Sequence, residues 1–173
     1  TWGWADRITL SRAAIVCALA GMLAEPSLFV DHAWPVIALT GLALALDGLD
    51  GWVARRLQET NEFGARFDME TDAALILVLC CALWLSGLAP AWVLAIGLMR
   101  PLFVLAGLAL PWLRRPLPER FRRKLVCVFQ VGVLPVALLP FLPAALRLTL
   151  LTGALLALAV SFAIDIAWLY HHR

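Results

Sequence analysis

A chain of 173 residues that is 63% hydrophobic and only 15% charged, with a mean hydropathy of +0.89, cannot hide its apolar surface inside one soluble domain. That excludes the soluble globular classes and points to a polytopic membrane protein. The net charge of +2 says little by its total, and no nucleic-acid partner is expected.

The opening stretch TWGWADRITLSR mixes two tryptophans with Asp6, Arg7 and Arg12. It is expected to lie as a short helix in the membrane interface. The first residue is Thr1 rather than Met, so a trimmed upstream piece is expected, and no signal peptide with a cleavage site is evident. Helix 1 is expected from about Ala13 to Val30, ended by Glu25 and Pro26, with a polar turn at Asp31, His32 and Trp34. Helix 2 follows from about Pro35 to Arg56, and after the polar turn Leu57–Glu62 helix 3 covers about Phe63 to Leu85. Ser86, Gly87 and Pro90 break the chain before helix 4, about Ala91 to Leu113. The basic loop RRPLPERFRRK leads to helix 5, about Leu125 to Leu142, closed by Pro140 and Pro143, and helix 6 runs from about Ala145 to Tyr170. Each run approaches the roughly twenty residues that span a bilayer. The expected fold is therefore all-α: one domain over residues 1–173, a six-transmembrane-helix bundle with an N-terminal interfacial segment.

Charge orients this bundle. Arg7, Arg12, Arg55, Arg56, Arg66, the six basic residues from Arg114 to Lys124, and Arg173 all fall on one side of it. The other side holds Arg147, with Glu25 and Asp31. By the positive-inside rule both termini face the cytoplasm, and a bacterial cytoplasmic membrane is the expected location. Cys17, Cys80, Cys81 and Cys127 lie in apolar runs without metal-ligand spacing, and are expected to be small buried hydrophobes.

The chemistry is concentrated between Asp47 and Asp72, in DGLDGWVARRLQETNEFGARFDMETD. Asp47 and Asp50 are three apart, with Ala54 on the same helical face; Asp68 and Asp72 are four apart, with Gly64 one turn earlier. Two helices joined by a short turn can therefore aim two pairs of carboxylates at each other, on the cytoplasmic side. An ionised Asp in hydrocarbon costs roughly 2.5–3.5 kcal/mol on insertion scales, and four together repel. A bound cation is expected between them, and oxygen-only ligands suit Mg²⁺, Mn²⁺ or Ca²⁺ rather than zinc. The bland alternative is a set of snorkelling helix-end charges.

The spacing D-x2-D-G-x2-A-R-x8-G-x3-D-x3-D is filled by Asp47, Asp50, Gly51, Ala54, Arg55, Gly64, Asp68 and Asp72. It resembles the signature of the CDP-alcohol phosphatidyltransferase family at every fixed position. The resemblance implies an integral membrane enzyme that displaces CMP from a CDP-linked donor, usually CDP-diacylglycerol, with the hydroxyl of a small alcohol. It also implies a homodimer in the lipid bilayer. The segment DRITLSR resembles the N-x-L-T-x-x-R pattern that precedes helix 1 in many members. Asp6 stands where Asn is usual, and Thr9 and Arg12 match, which implies that Thr9 approaches the nucleotide.

Two divalent ions, Mg²⁺ or Mn²⁺, held by carboxylates about 3.5–4 Å apart would template diphosphate chemistry. Asp47, Asp50 and Asp68 are the expected ligands. Asp72 is the expected general base and a further candidate ligand. Gly48 and Gly51 flank Asp50 and let a nucleotide lie against the backbone, Ala54 keeps that face shallow, and Gly64 does the same opposite. For the glycines the alternative is small-residue helix packing. Arg55 is placed for a diphosphate oxygen or, failing that, snorkels.

Arg100 interrupts helix 4 and must face the bundle interior, a watery cavity or a partner. With Lys124 it is expected to hold a phosphorylated acceptor such as glycerol 3-phosphate or inositol phosphate. Phosphatidylglycerophosphate synthases are similar in having an arginine in helix 4 and a spacing like Lys124–Gln130, although Pro101 and Val126 replace their usual acid and second lysine. Inositol or another alcohol is the alternative acceptor. The basic loop alternatively serves orientation and anionic headgroups, and Asp165 in helix 6 alternatively pairs with an arginine. From a different class, a divalent cation transporter would use the same four acids as a permeation site, but no polar positions continue the path across. A member of the family that has lost its chemistry is disfavoured by the intact octet.

Overall fold

The computed structural model describes residues 4–57, 62–110 and 121–171, with side chains described over 10–46, 67, 69–110 and 125–171. Residues 1–3, 58–61, 111–120 and 172–173 lie outside the described residues.

Among the described residues the chain is helical without strands. The first helix, α1, runs unbroken over Trp4–Met22. The expected interfacial helix is thus the opening of α1 itself, since WADRITLSRAAIVCALAGM contains no proline to separate the two. The helix also ends earlier than Val30. Leu23, Ala24 and Glu25 donate to carbonyls three residues back, which tightens the last turn, and Pro26 bars further α-helix before it. A five-residue helix, α2 (Ser27–Asp31), buries Phe29. α3 spans Ala33–Leu57 and α4 Glu62–Leu85, close to the expected limits.

The end of α4 is capped by backbone alone. Gly87 has φ +68, the left-handed conformation that a helix-terminating residue adopts. The amide of Leu88 donates to Leu83 O at 3.0 Å and that of Gly87 to Trp84 O at 3.0 Å, so two terminal carbonyls are satisfied. Ser86 Oγ donates to Pro26 O at 3.0 Å and ties this turn to the α1–α2 turn. A 3₁₀ turn, Ala91–Val93, leads into α5 (Leu94–Ala109). α6 covers Phe121–Ala137 rather than reaching Leu142, because Pro140 disfavours helical geometry in the residue before it. α7 covers Ala144–His171.

α4 is the central helix, packed against α1, α5 and α6, while α1 and α6 each also touch α3. Those four helices form a square with α3 and α4 on one diagonal. The inward stripe of α4 is Leu75, Ile76, Leu79 and Leu83, all buried. α5 comes closest to it at Gly97, where a Cβ would lie 2.8 Å from Leu77 Cα. Only the absence of a side chain permits that approach.

Leu98, Leu102, Leu105 and Leu108 on α5, and Leu156, Val160 and Ile164 on α7, are large, apolar and exposed. Two segments, Ala91–Ala109 and Ala144–His171, are long and apolar enough to cross a membrane, and Leu10–Met22, Ala33–Leu46 and Leu125–Ala137 are shorter apolar helices. Trp34 and Phe141, both exposed, stack with ring centroids 6.1 Å apart at the end away from the α3–α4 turn. The amphipathic indole of Trp34 at that level suits a membrane–water interface.

Of the cysteines, Cys80 is buried, Cys81 and Cys127 are half-buried, and none is in a disulfide. Cys17 departs from expectation: it is exposed, on the outer side of α1 away from Val16 and Leu19.

Candidate active site

Helix ends place the octet. Asp47, Asp50, Gly51, Ala54 and Arg55 lie in the last turns of α3, and Gly64, Asp68 and Asp72 in the first turns of α4. At 1.5 Å per residue Asp50 is about 10 Å before the end of α3, and Asp68 about 9 Å after the start of α4. The short link between the two helices therefore brings both acidic pairs to the same end of the bundle. The side chains of Asp47, Gly48, Asp50, Gly51, Ala54, Arg55, Gly64 and Asp68 lie outside the described residues, as do those of Thr9 in α1 and Lys124 in the first turn of α6.

Asp72 is described, and it does not stand alone. Arg12 Nη2, from α1, donates to Asp72 Oδ1 as a direct ion pair. The side chain of Arg12 is 2% exposed and that of Asp72 26%. Both residues begin inward-facing stripes. Arg12 shares its face with the buried Val16 and Leu19, and Asp72 with Leu75, Ile76 and Leu79. The pair is thus the polar end of the α1–α4 apolar contact, where a buried charge needs an opposite one. The sequence reading counted Arg12 among the orienting charges and as the arginine of the N-x-L-T-x-x-R pattern, without giving it a partner. The signal that it turns inward was its place at i with Val16 at i+4 and Leu19 at i+7.

Arg100 finds its partner within the chain. Its Nη2 lies 3.4 Å from Glu70 Oε1, across the α4–α5 contact, with the two side chains 38% and 65% exposed. An exposed pair of that length contributes little to stability. Arg100 Nε is buried and has no hydrogen-bond partner among the described residues, and the same holds for Gln130 Nε2 on α6. Glu70, between the two acids of α4, was not singled out by the sequence. Asp165 is buried on α7 with Ser161 one turn before it.

His, Cys, Asp and Glu side chains do not gather in threes among the described residues. The family model of CDP-alcohol phosphatidyltransferases matches residues 2–164. The chain belongs to that family. No solved structure matches it. As a CDP-alcohol phosphatidyltransferase the protein is a phosphotransferase of phospholipid synthesis, acting on CDP-alcohol substrates in a lipid environment. Members of this family are integral membrane proteins, which the two long apolar helices fit, and are generally dependent on divalent metal. The donor set of the octet is carboxylate oxygen alone, and it fits a hard divalent cation.

Proposed function

We propose that this phosphatidyltransferase transfers the phosphatidyl group of CDP-diacylglycerol to the hydroxyl of a small alcohol, releasing CMP. The observation that carries the reading is the octet, complete in sequence and confined to the adjoining ends of α3 and α4. All six long helices span the membrane in this reading, the four shorter or more polar ones sheltered by their neighbours. The one-sided arginines put the octet at the cytoplasmic face. The working unit is a homodimer, as in the family.

Asp47, Asp50 and Asp68, with Asp72 at the edge of the set, hold two Mg²⁺ or Mn²⁺ ions. When bound, these ions neutralise the diphosphate and stabilise the leaving oxygen. Gly48, Gly51, Ala54 and Gly64 leave room for the nucleotide against the helix backbones, with Thr9 beside it and Arg55 on a diphosphate oxygen. The alcohol oxygen forms a bond to the phosphorus that carries diacylglycerol, the bond from that phosphorus to the CMP oxygen breaks, and CMP leaves with the electron pair. The proton of the hydroxyl passes to Asp72.

The acceptor is glycerol 3-phosphate in the reading we favour. Arg100, whose Nε is buried without a partner among the described residues, supports an anionic acceptor, and Lys124 supplies the second charge. The test is an acceptor panel with radiolabelled CDP-diacylglycerol and purified protein: glycerol 3-phosphate, inositol, inositol phosphate, serine, choline and phosphatidylglycerol. Labelled product with glycerol 3-phosphate alone supports the reading. Product only with a neutral alcohol removes the acceptor assignment, and no release of CMP with any of them removes the transferase reading of this chain.

A further inference from the structure

Among the described side chains, two arginines, Arg12 and Arg147, are nine-tenths buried, and they are satisfied differently. Arg147 is satisfied by main-chain carbonyls of Ala137, Leu139 and Leu142. Arg12 instead takes a carboxylate, and that carboxylate belongs to the octet. A buried guanidinium at the end of an apolar helix face can be satisfied by carbonyl oxygens, as Arg147 demonstrates, so burial alone does not require Asp72.

The pair also crosses between elements. Asp72 stands on α4, and Arg12 reaches it from α1, 60 positions away in the sequence. α1 packs along both α3 and α4, so its position is set by the two helices that carry the acids. The guanidinium is a rigid planar donor on a side chain that is 2% exposed and has little freedom to swing. A carboxylate gripped at Oδ1 by such a donor keeps one orientation of its carboxyl plane.

We infer that Arg12 is the positioning residue of Asp72: through its hold on Oδ1 it sets the direction in which this carboxylate meets the metal ions and the incoming hydroxyl. The inference rests on the transferase reading. It goes beyond that reading in giving α1 a direct hold on a carboxylate of the octet. Groups of this kind, which orient a ligand rather than touch the substrate, typically cost about 10–100-fold in activity or metal affinity when removed.

The test compares wild type, Arg12→Met, Arg12→Lys, Asp72→Asn and the Arg12→Met/Asp72→Asn double variant, all as full chains in detergent. CMP release is measured with whichever panel alcohol supports turnover, and Mn²⁺ binding is measured by electron paramagnetic resonance. Arg12→Met is expected to lower kcat and weaken Mn²⁺ binding, each by roughly 10–100-fold, while KM for CDP-diacylglycerol changes little. Arg12→Lys recovers part of both losses. In the Asp72→Asn background Arg12→Met changes Mn²⁺ binding no further, because the group it acts through is already gone.

The inference is overturned if Arg12→Met and Arg12→Lys both stay within about twofold of wild type, well short of the loss expected for a ligand-orienting group. It is equally overturned if Arg12→Met weakens Mn²⁺ binding by the same factor with and without Asp72. Should Arg12→Met fail to give a monodisperse protein, Arg12→Lys with and without Asp72→Asn decides the question by the same comparison. If wild type releases no CMP with any acceptor, the transferase reading has failed, and the Mn²⁺ comparison still judges the Arg12–Asp72 coupling.

Discussion

Arg147, on α7, closes the end of α6: its Nε donates to the carbonyl of Ala137 at 2.8 Å. Its Nη2 serves two further carbonyls in the segment that follows the helix, those of Leu139 at 2.9 Å and Leu142 at 3.2 Å. The last carbonyls of a helix lack partners within it, and they carry the negative end of its dipole. A buried guanidinium answers both needs. This accounts for the one basic residue on the far side of the charge asymmetry, since Arg147 is a cap within the fold and does not act as an orientation signal.

Arg147→Met should therefore lower the melting temperature in detergent. An unsatisfied buried polar group costs about 1–3 kcal/mol, and several are exposed to that cost here. Arg147→Lys should lose less, because an ammonium still reaches one or two carbonyls. Membrane orientation, followed by labelling of single introduced cysteines, should be the same in all three proteins. A melting temperature unchanged in Arg147→Met would remove the capping role.

The contact between Gly97 and Leu77 makes a second prediction, with an internal control. A Cβ on Gly97 meets Leu77 Cα at 2.8 Å and Leu77 Cβ at 3.3 Å, and backbone cannot move aside as a side-chain tip does. Gly97→Ala should force α4 and α5 apart, with a cost of about 1–3 kcal/mol. Gly153, in α7, has nothing within 4 Å of its added Cβ. Gly153→Ala should be neutral or stabilise by up to about 1 kcal/mol through helix propensity. Thermal unfolding of the two variants side by side checks this. A loss of the same size at both positions would mean that close packing is not the cause.

The octet was legible because its chemistry is written in spacing: acids at three and four residues share a helix face wherever the helix lies. The long helices were legible from apolar runs, and α3 and α4 fell within two residues of their expected limits. Ends set by subtler chemistry were not. α1 stops at Met22, three residues before the Glu25–Pro26 break, and α6 stops at Ala137, where Arg147 takes its last carbonyl. The two partners of the described site charges were also hidden. Arg12 and Asp72 belong to different helices, and Glu70 looked like an ordinary surface acid. Pairing across helices depends on their rotation about their axes, which the spacing within either one does not contain.

The Arg100–Glu70 pair changes what a mutation at Arg100 tests. Arg100→Ala should raise KM for a phosphorylated acceptor more than KM for CDP-diacylglycerol, as expected when only acceptor recognition is lost. Glu70 competes for the same guanidinium at 3.4 Å. Glu70→Gln should therefore lower acceptor KM or leave it unchanged, and Glu70→Lys should raise it. Steady-state kinetics with each substrate varied in turn separates these outcomes. Equal rises in both KM values for Arg100→Ala would return Arg100 to a surface charge.

The final prediction contrasts Asp72 with the other three acids. In protein free of divalent metal, carboxylates gathered at one end of two adjoining helices repel one another. Neutralising one of them relieves that repulsion, so Asp47→Asn, Asp50→Asn and Asp68→Asn should melt at or above the temperature of metal-free wild type. Each should nevertheless lose divalent-dependent CMP release, since sites built for function hold charge that stability alone would not retain. Asp72 is the member of the set with a described ion pair, since Arg12 is buried against it. Removing one partner of a fully buried ion pair typically costs about 3–5 kcal/mol, and less where one side, as here, is partly open to solvent. Asp72→Asn should therefore melt below metal-free wild type, although it removes a negative charge from the same cluster. Arg12→Met in addition should return part of that loss, because the buried cation that Asp72 partners is then gone. Melting curves recorded with excess chelator test the set together. If Asp72→Asn is as stable as Asp68→Asn under those conditions, Arg12 does not depend on Asp72 for its charge, and the link from α1 to the octet falls with it.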